Sequence, residues 1–385
     1  MRAIEAVALP DAFAAVDRLR ASRDRDALVG LLAEQSPVYA GRGTGETERL
    51  RGYILASFET AGLPASALPF VIEELEIGLN PYPVAAAAKA VRGAHELPER
   101  ITTLLLDAID RTRTCDDVVC FDRGAGKENS KKTSETTALM ELFRTLAWLG
   151  PAAHEAEAPL KAMLAMRPAG FSAPVAAEIE AALAAVSVAG QPARAHCCGG
   201  SGAPIAFKPR AQTPIGFDIR ALQLQDQDGA VFSFGDFFLG RASVLTFFYT
   251  RCMNPNKCSL TITKLARLQQ RLIAEGLQHR FGIAAVSYDP AFDRPSRLRA
   301  YGEARGMAFD DRNKLLRTTG SFEPLQRWLD LGVGFGSTTV NQHRLDVVVL
   351  DDRATPATTI SRVQWDEDDV FSALKAAHCS GNAAP

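Results

Sequence analysis

No run of about eighteen consecutive apolar residues occurs in the 385-residue sequence, so no membrane-spanning helix is expected. The opening residues lack a basic start followed by an apolar stretch. They read as a first helix, not a signal peptide, which leads to the expectation of a cytoplasmic protein. An excess of positive charge is also missing. The formal net charge is −2, and nothing in it provides the basic field that nucleic acid would require. A scattered disulfide framework is absent as well. The seven cysteines fall in groups: Cys115 with Cys120, Cys197 beside Cys198, Cys252 with Cys258, and Cys379 alone. Such grouping in a long chain points to metal binding or thiol redox chemistry.

What is present divides into two halves. Hydrophobic content of 47% and charged content of 23% fit a globular protein, and the length suggests two domains. Residues 1–190 are rich in alanine and leucine with apolar residues at helical spacing, as in Leu68, Val71, Ile72, Leu75 and Leu79. Breaks at Gly62-Leu63-Pro64, Asn80-Pro81 and Gly150-Pro151 cut this half into helices of similar length that come in pairs. The expectation is an all-α domain, either a HEAT-like helical repeat or a bundle. A polar stretch, Arg111 to Thr136, reads as an exposed loop carrying Cys115 and Cys120, which could clip it or bind metal. Residues 191–213 are dense in glycine and proline and read as a linker, with His196, Cys197 and Cys198 as a secondary metal or redox candidate or incidental thiols.

Past the linker, residues 214–378 alternate strand-like and helical runs, which predicts a mainly parallel sheet covered on both faces. A hairpin is expected over 223–234 around Asp228-Gly229, strands over 244–250, 281–288 and 346–350, and helices over 260–275, 294–305 and 366–377. The segment FFYTRCMNPNKCSLTITKLARLQQ, Phe247 to Gln270, concentrates the chemistry. Cys252 follows a hydrophobic strand and Cys258 opens a helix, whose N-terminal partial charge favours a thiolate. Arg251 and Lys257 flank the pair and should push the same way. Pro255-Asn256 can turn one cysteine back towards the other.

This segment resembles the Sco/SenC family, thioredoxin-like copper chaperones in which a phenylalanine-rich strand precedes two cysteines at a helix start. The resemblance extends to His343 in VNQHRLDVVVLDD, just before a later strand, and to SYDPAFDRPSRLRAYGEARG from Ser287. It covers the C-terminal half only, and five residues stand between the cysteines where the family has three. The resemblance implies Cys252, Cys258 and His343 as metal ligands, Asp289 as an outer group, and copper as the metal. Thioredoxin folds usually place a cis-proline where His343 stands, and an imidazole there could face both cysteines. Two thiolates and an imidazole are a soft donor set that suits copper, whereas zinc usually takes a fourth ligand. Binding should depend on pH and redox state. The implied function is delivery of copper to a recipient copper protein or maturation of its site, with the helical domain docking that recipient. The alternatives are a thiol–disulfide oxidoreductase, with Cys252 attacking and Cys258 resolving, and a scaffold that needs neither cysteine. The family usually works outside the cytoplasm, periplasmic or membrane-associated, against the reading of the N-terminus.

Other features read as structural. Asp366 to Asp369 fit the acidic start of a helix, and Gly332 to Gly336 resembles a phosphate loop without the helix that such a loop needs. His95, His154, His279, His378 and Cys379 are assigned no role.

Overall fold

The structure, a computed structural model, describes residues 8–121, 135–165, 171–188, 216–362 and 364–381. The chain divides into two compact units, Met1–Ala203 and Pro204–Pro385. The predicted linker, 191–213, lies outside the described residues.

The first unit is helical: α1 (Leu9–Ser22), α2 (Arg25–Leu32), α3 (Thr44–Ala61), α4 (Leu68–Ile77), α5 (Pro81–Val91) and α6 (Ile101–Thr112) are followed by α7 (Ala138–Leu149), α8 (Glu157–Ala165) and α9 (Ala173–Val186). Proline at the start of α4, α5 and α9 marks where each helix begins, because its missing N–H would be unpaired there in any case. Helices α1, α3, α5, α7 and α9 pack each on the next, while α4 packs on α6 beside them. Helix α5 is the centre of this row. Its alanine run is almost wholly buried, and small side chains let neighbouring backbones come close. Gly93 serves the same end: a Cβ there would sit 2.0 Å from the Phe58 carbonyl oxygen. Charge is buried here in a group, with Arg51 facing Glu34, Glu73 and Glu74 at 3.5 Å each.

The expected exposed loop after α6 carries two short strands among its described residues. Its ends pair as a short antiparallel hairpin, β1 (Val118–Cys120) with β2 (Glu135–Thr137). Three-residue strands are too short for a periodic signal, so nothing in the sequence announced them.

The second unit holds a seven-stranded sheet in the order β11-β10-β5-β6-β7-β3-β4. Its elements run β3 (Gln223–Asp226), β4 (Val231–Ser233), α10 (Phe234–Phe238), β5 (Ser243–Phe248), α11 (Leu260–Ala274), β6 (Gly282–Ser287), α12 (Pro295–Glu303), β7 (Asn313–Thr318) and α13 (Glu323–Trp328). A separate hairpin, β8 (Val333–Phe335) with β9 (Val340–His343), precedes β10 (Asp346–Leu350), β11 (Pro356–Ser361) and α14 (Glu367–Gly381). The core strands β5, β6 and β10 are buried at every residue, which is why they read as continuous apolar runs and do not alternate. Phe247, Phe248, Tyr288, Phe234, Phe238 and Trp365 fill the layers beside them.

The expectation of a mainly parallel sheet is corrected. Only β5–β6 and β6–β7 are parallel, whereas β3–β4, β3–β7, β5–β10 and β10–β11 are antiparallel. Parallel neighbours need a crossover such as α11 or α12. Strand β10 enters from a hairpin and β11 follows it through a short turn, so both lie antiparallel. The Asp228-Gly229 turn is as expected, with Gly229 at φ +86° where a side chain would be strained. No helix among the described residues is long and apolar enough to cross a membrane.

Candidate metal centre

The central parallel strands β5 and β6 end side by side, and the site lies beyond their carboxyl ends. A buried carboxylate fixes that edge. Asp293 accepts from the Thr250 amide at 3.1 Å, the Thr250 hydroxyl, and the Ser287 hydroxyl at 2.5 Å, which joins the exit of β5 to the end of β6. Burial pushes its carboxyl up from the ordinary value, against the pull of those donors. Sequence reasoning passed over Asp293. The only hint was its place just ahead of Arg294-Pro295 at the start of α12.

From Thr250 the chain turns into the cysteine loop. The Asn254 side chain accepts from the Asn256 amide at 2.9 Å, as an Asx turn around Pro255. One wide helical turn, Pro255–Ser259, then leads into α11 and carries Cys258 into the interior. Cys258 is fully buried and Cys252 half-buried, and both thiols are free. His343 ends β9 and is buried at 5% exposure. Its Nε2 lies 3.5 Å from the Cys252 sulfur and 3.5 Å from the Cys258 sulfur. The three ligand atoms all fall within 4.8 Å of one another. Bonds of about 2.0–2.3 Å from nitrogen and sulfur let one ion reach atoms so spaced. The His343 Nδ1 lies 3.1 Å from the Arg344 carbonyl, which can only accept. Nδ1 therefore holds a proton, and Nε2 is the nitrogen turned to the sulfurs.

Aromatic rings wall the site. Tyr249 meets the His343 ring edge-on and Tyr288 meets it tilted, each with centroids 5.5 Å apart. Burial, and after it charge on Cys252, pushes the Tyr249 hydroxyl up, so it remains a donor to the Cys252 sulfur. The two cysteines are unequal. A hydrogen bond from Cys258 holds the Cys252 thiol far below its ordinary range, burial opposes this, and His343 adds to the depression. Burial, and then the charge of Cys252, pushes Cys258 up. The reduced pair is therefore one thiolate hydrogen-bonded to one thiol.

The two flanking cations do not both work as expected. Lys257 does bear on Cys258, lowering it. Arg251 instead turns away from the sulfurs. It donates to Asp289, through Nε at 3.1 Å and through Nη2, and to the Thr338 carbonyl at 3.1 Å. Its guanidinium lies 4.1 Å from the Phe292 ring centroid. Asp289 thus touches Arg251, the residue before Cys252.

Other candidates resolve differently. Cys115 is exposed and Cys120 ends β1; neither is in a disulfide, so none clips that segment. Among the described residues, Cys252, Cys258 and His343 are the one group arranged to hold a metal ion. His196, Cys197 and Cys198 lie outside the described residues. Glu367, Asp368 and Asp369 form the first turn of α14, with Glu367 paired to Arg267 at 3.6 Å and Asp368 paired to Arg271. Residues 332–336 contribute β8 and form no phosphate loop.

Residues 218–376 match the SCO1/SenC family model. The C-terminal half is a SCO1/SenC domain. No curated protein matches the chain. Solved structures that resemble it include a SCO1/SenC family lipoprotein from Bacillus anthracis, 22% identical over 42% of this chain and 96% of that one, with a TM-score of 0.36. Bradyrhizobium japonicum ScoI with copper bound is 17% identical over 41% of this chain and 97% of its own, at a TM-score of 0.32. Arabidopsis thaliana ScoI with copper bound is 18% identical over 40% and 94%, at 0.33. The SCO1/SenC match begins at Asp218, in the second unit, and takes in all three converging residues. In that domain five residues separate the cysteines, and both sulfurs still lie close to the imidazole.

Proposed function

We propose that the SCO1/SenC domain binds copper as cargo through Cys252, Cys258 and His343, and passes it to a recipient copper protein or matures that protein's copper site. The observation that carries this reading is the placement of His343 Nε2 3.5 Å from both sulfurs, with Nδ1 anchored on a carbonyl. Two thiolates with one imidazole make a soft set that selects Cu(I), and three ligands without a fourth leave the ion open to exchange. Asp289 acts at one remove, by holding Arg251 beside the cysteine loop. Copper bound in the Bradyrhizobium and Arabidopsis relatives agrees with this assignment.

In this reading the helical unit docks the recipient. The row α1, α3, α5, α7, α9 with a second row beside it suits a HEAT-like solenoid, whose extended surface is fit for that role. A cleft of about 410 Å³ beside the β1–β2 hairpin, lined by Val118, Leu139, Met140, Phe171 and Val175, offers a seat for an apolar side chain. The cytoplasmic expectation gains no support: the Bacillus anthracis relative is a lipoprotein, and we place this chain's action in the periplasm or at a membrane surface.

A second reading draws on the inequality of the thiols. A half-buried thiolate beside a buried thiol is the arrangement for disulfide exchange. Cys252 sulfur would attack a partner disulfide, and Cys258 would resolve the mixed disulfide. The pair would lose two electrons, and the partner would gain two electrons and two protons, one from the Cys258 thiol and one from solvent.

One experiment separates them. The reduced full chain is titrated with Cu(I), alone and as Cys252→Ser and His343→Ala. One copper per chain, lost in both variants, is expected. Copper-independent insulin reduction that survives His343→Ala would replace the copper reading with the oxidoreductase.

A further inference from the structure

The loop between the cysteines places one more soft donor at the site. Met253 directly follows Cys252 and is 91% exposed, by far the most exposed large apolar side chain among the described residues. Its position fits a gradient of access across the site. Cys258 is 0% exposed and His343 5%, whereas Cys252 is half-buried, so the three ligands open to solvent on the Cys252 side. An ion leaving the site crosses that edge, next to Met253. The reach is short, because adjacent Cα atoms lie about 3.8 Å apart and methionine has three rotatable bonds. The following residues are held by the Asn254 turn, which leaves Met253 between two fixed points, Cys252 and Asn254.

We infer that Met253 is an outward exchange ligand for Cu(I), taking the place of His343 as the ion moves from the buried set towards the acceptor. This rests on the copper reading of the site. In the step, the bond from copper to His343 Nε2 breaks and a bond to the Met253 thioether sulfur forms. Both donors are neutral, so copper stays Cu(I), the thiolates keep their charge, and no proton is gained or lost. The intermediate is an ion held by Cys252, Cys258 and Met253, one neutral ligand nearer to solvent. A thioether is a suitable leaving ligand there, being soft enough to select Cu(I) and having no proton to compete for it.

The test uses the reduced full chain labelled with carbon-13 at the methionine methyls, as wild type and as Met253→Leu, which keeps size and apolarity and removes the sulfur. Release of Cu(I) to bicinchoninate is timed, and affinity is measured separately at equilibrium. The expected result is release slowed several-fold in Met253→Leu with affinity nearly unchanged. The methyl signal missing from the variant should broaden in the wild type on loading. Release at the wild-type rate in Met253→Leu overturns this inference alone, and so does a Met253 methyl untouched by copper. A wild-type chain that takes up no Cu(I) overturns the copper reading, and this inference with it.

Discussion

The Lys257 ammonium donates to the main-chain carbonyl of His343 at 3.0 Å, so the residue before one sulfur ligand holds the backbone of the nitrogen ligand. The bond ties two segments far apart in sequence, the cysteine loop and the β8–β9 hairpin. It also leaves a positive charge beside Cys258. Lys257→Leu keeps apolar bulk and loses both effects without adding a sulfur donor. Cu(I) affinity in competition with a chromophoric chelator should fall by roughly tenfold, as for other groups that orient a ligand. An unchanged affinity would mean the hairpin holds His343 unaided.

Arg251 makes a second tie to the same hairpin through the Thr338 carbonyl, with Asp289 fixing its guanidinium. Arg251→Ala should free the hairpin turn. Hydrogen exchange at the Gly336 amide, which donates to the Thr339 carbonyl at 2.8 Å, should speed up, while the β10 amides keep their protection. Asp289→Asn should give a smaller change in the same direction, since the Thr338 contact remains.

The inequality of the thiols predicts the pH dependence of alkylation. Cys252 has a depressed pKa in the folded state, so its thiolate is already present between pH 5 and 8. An ordinary thiol near 8.5 becomes about tenfold more reactive per pH unit over that range. Iodoacetamide should therefore modify Cys252 at a nearly flat rate across that range, and Cys258, pushed up by burial, should stay unmodified. The same depression bears on stability. A group whose pKa falls on folding contributes stability fully above its unfolded value, and loses it as pH drops through its folded value. The reduced, metal-free protein should gain stability as pH rises towards the ordinary thiol range, and Cys252→Ser should flatten that gain. A steep alkylation profile centred near 8.5 would contradict the assignment.

Asp293 accepts three hydrogen bonds with no exposed surface. Asp293→Ala strands the Thr250 amide and two hydroxyls, and should destabilise the C-terminal unit by about 3 kcal/mol. Urea unfolding followed by fluorescence of the tryptophans, two of which, Trp328 and Trp365, are buried in that unit, would register the loss. Asp293→Asn keeps an acceptor for one or two of the donors and should cost less.

Much of the site was legible in the sequence, the cysteine pair from residue order and His343 through the resemblance to the Sco/SenC family. Cys252 after an apolar strand, Cys258 ahead of α11, and His343 before β10 each carried a signal of type and place, and the three do converge. Strand β10 was readable residue for residue, because Val347, Val348 and Val349 admit little else. What escaped depends on partners distant in sequence. Strand β11, PATTIS, has no apolar periodicity of its own and becomes a strand only by pairing with β10. The direction of Arg251 could not be foreseen either, since proximity to Cys252 in sequence competes with a carboxylate 38 residues away. The helical half showed where its helices break, through Pro81 and Pro151, but how they stack is set by shape complementarity such as that at Gly93.

The most direct test of the central claim is X-ray absorption at the copper edge of the reduced full chain loaded with one equivalent of Cu(I). The account predicts a shell of two sulfurs and one nitrogen, with the nitrogen lost in His343→Ala and one sulfur lost in Cys258→Ser. A shell that neither substitution alters, or the absence of bound copper, would contradict it.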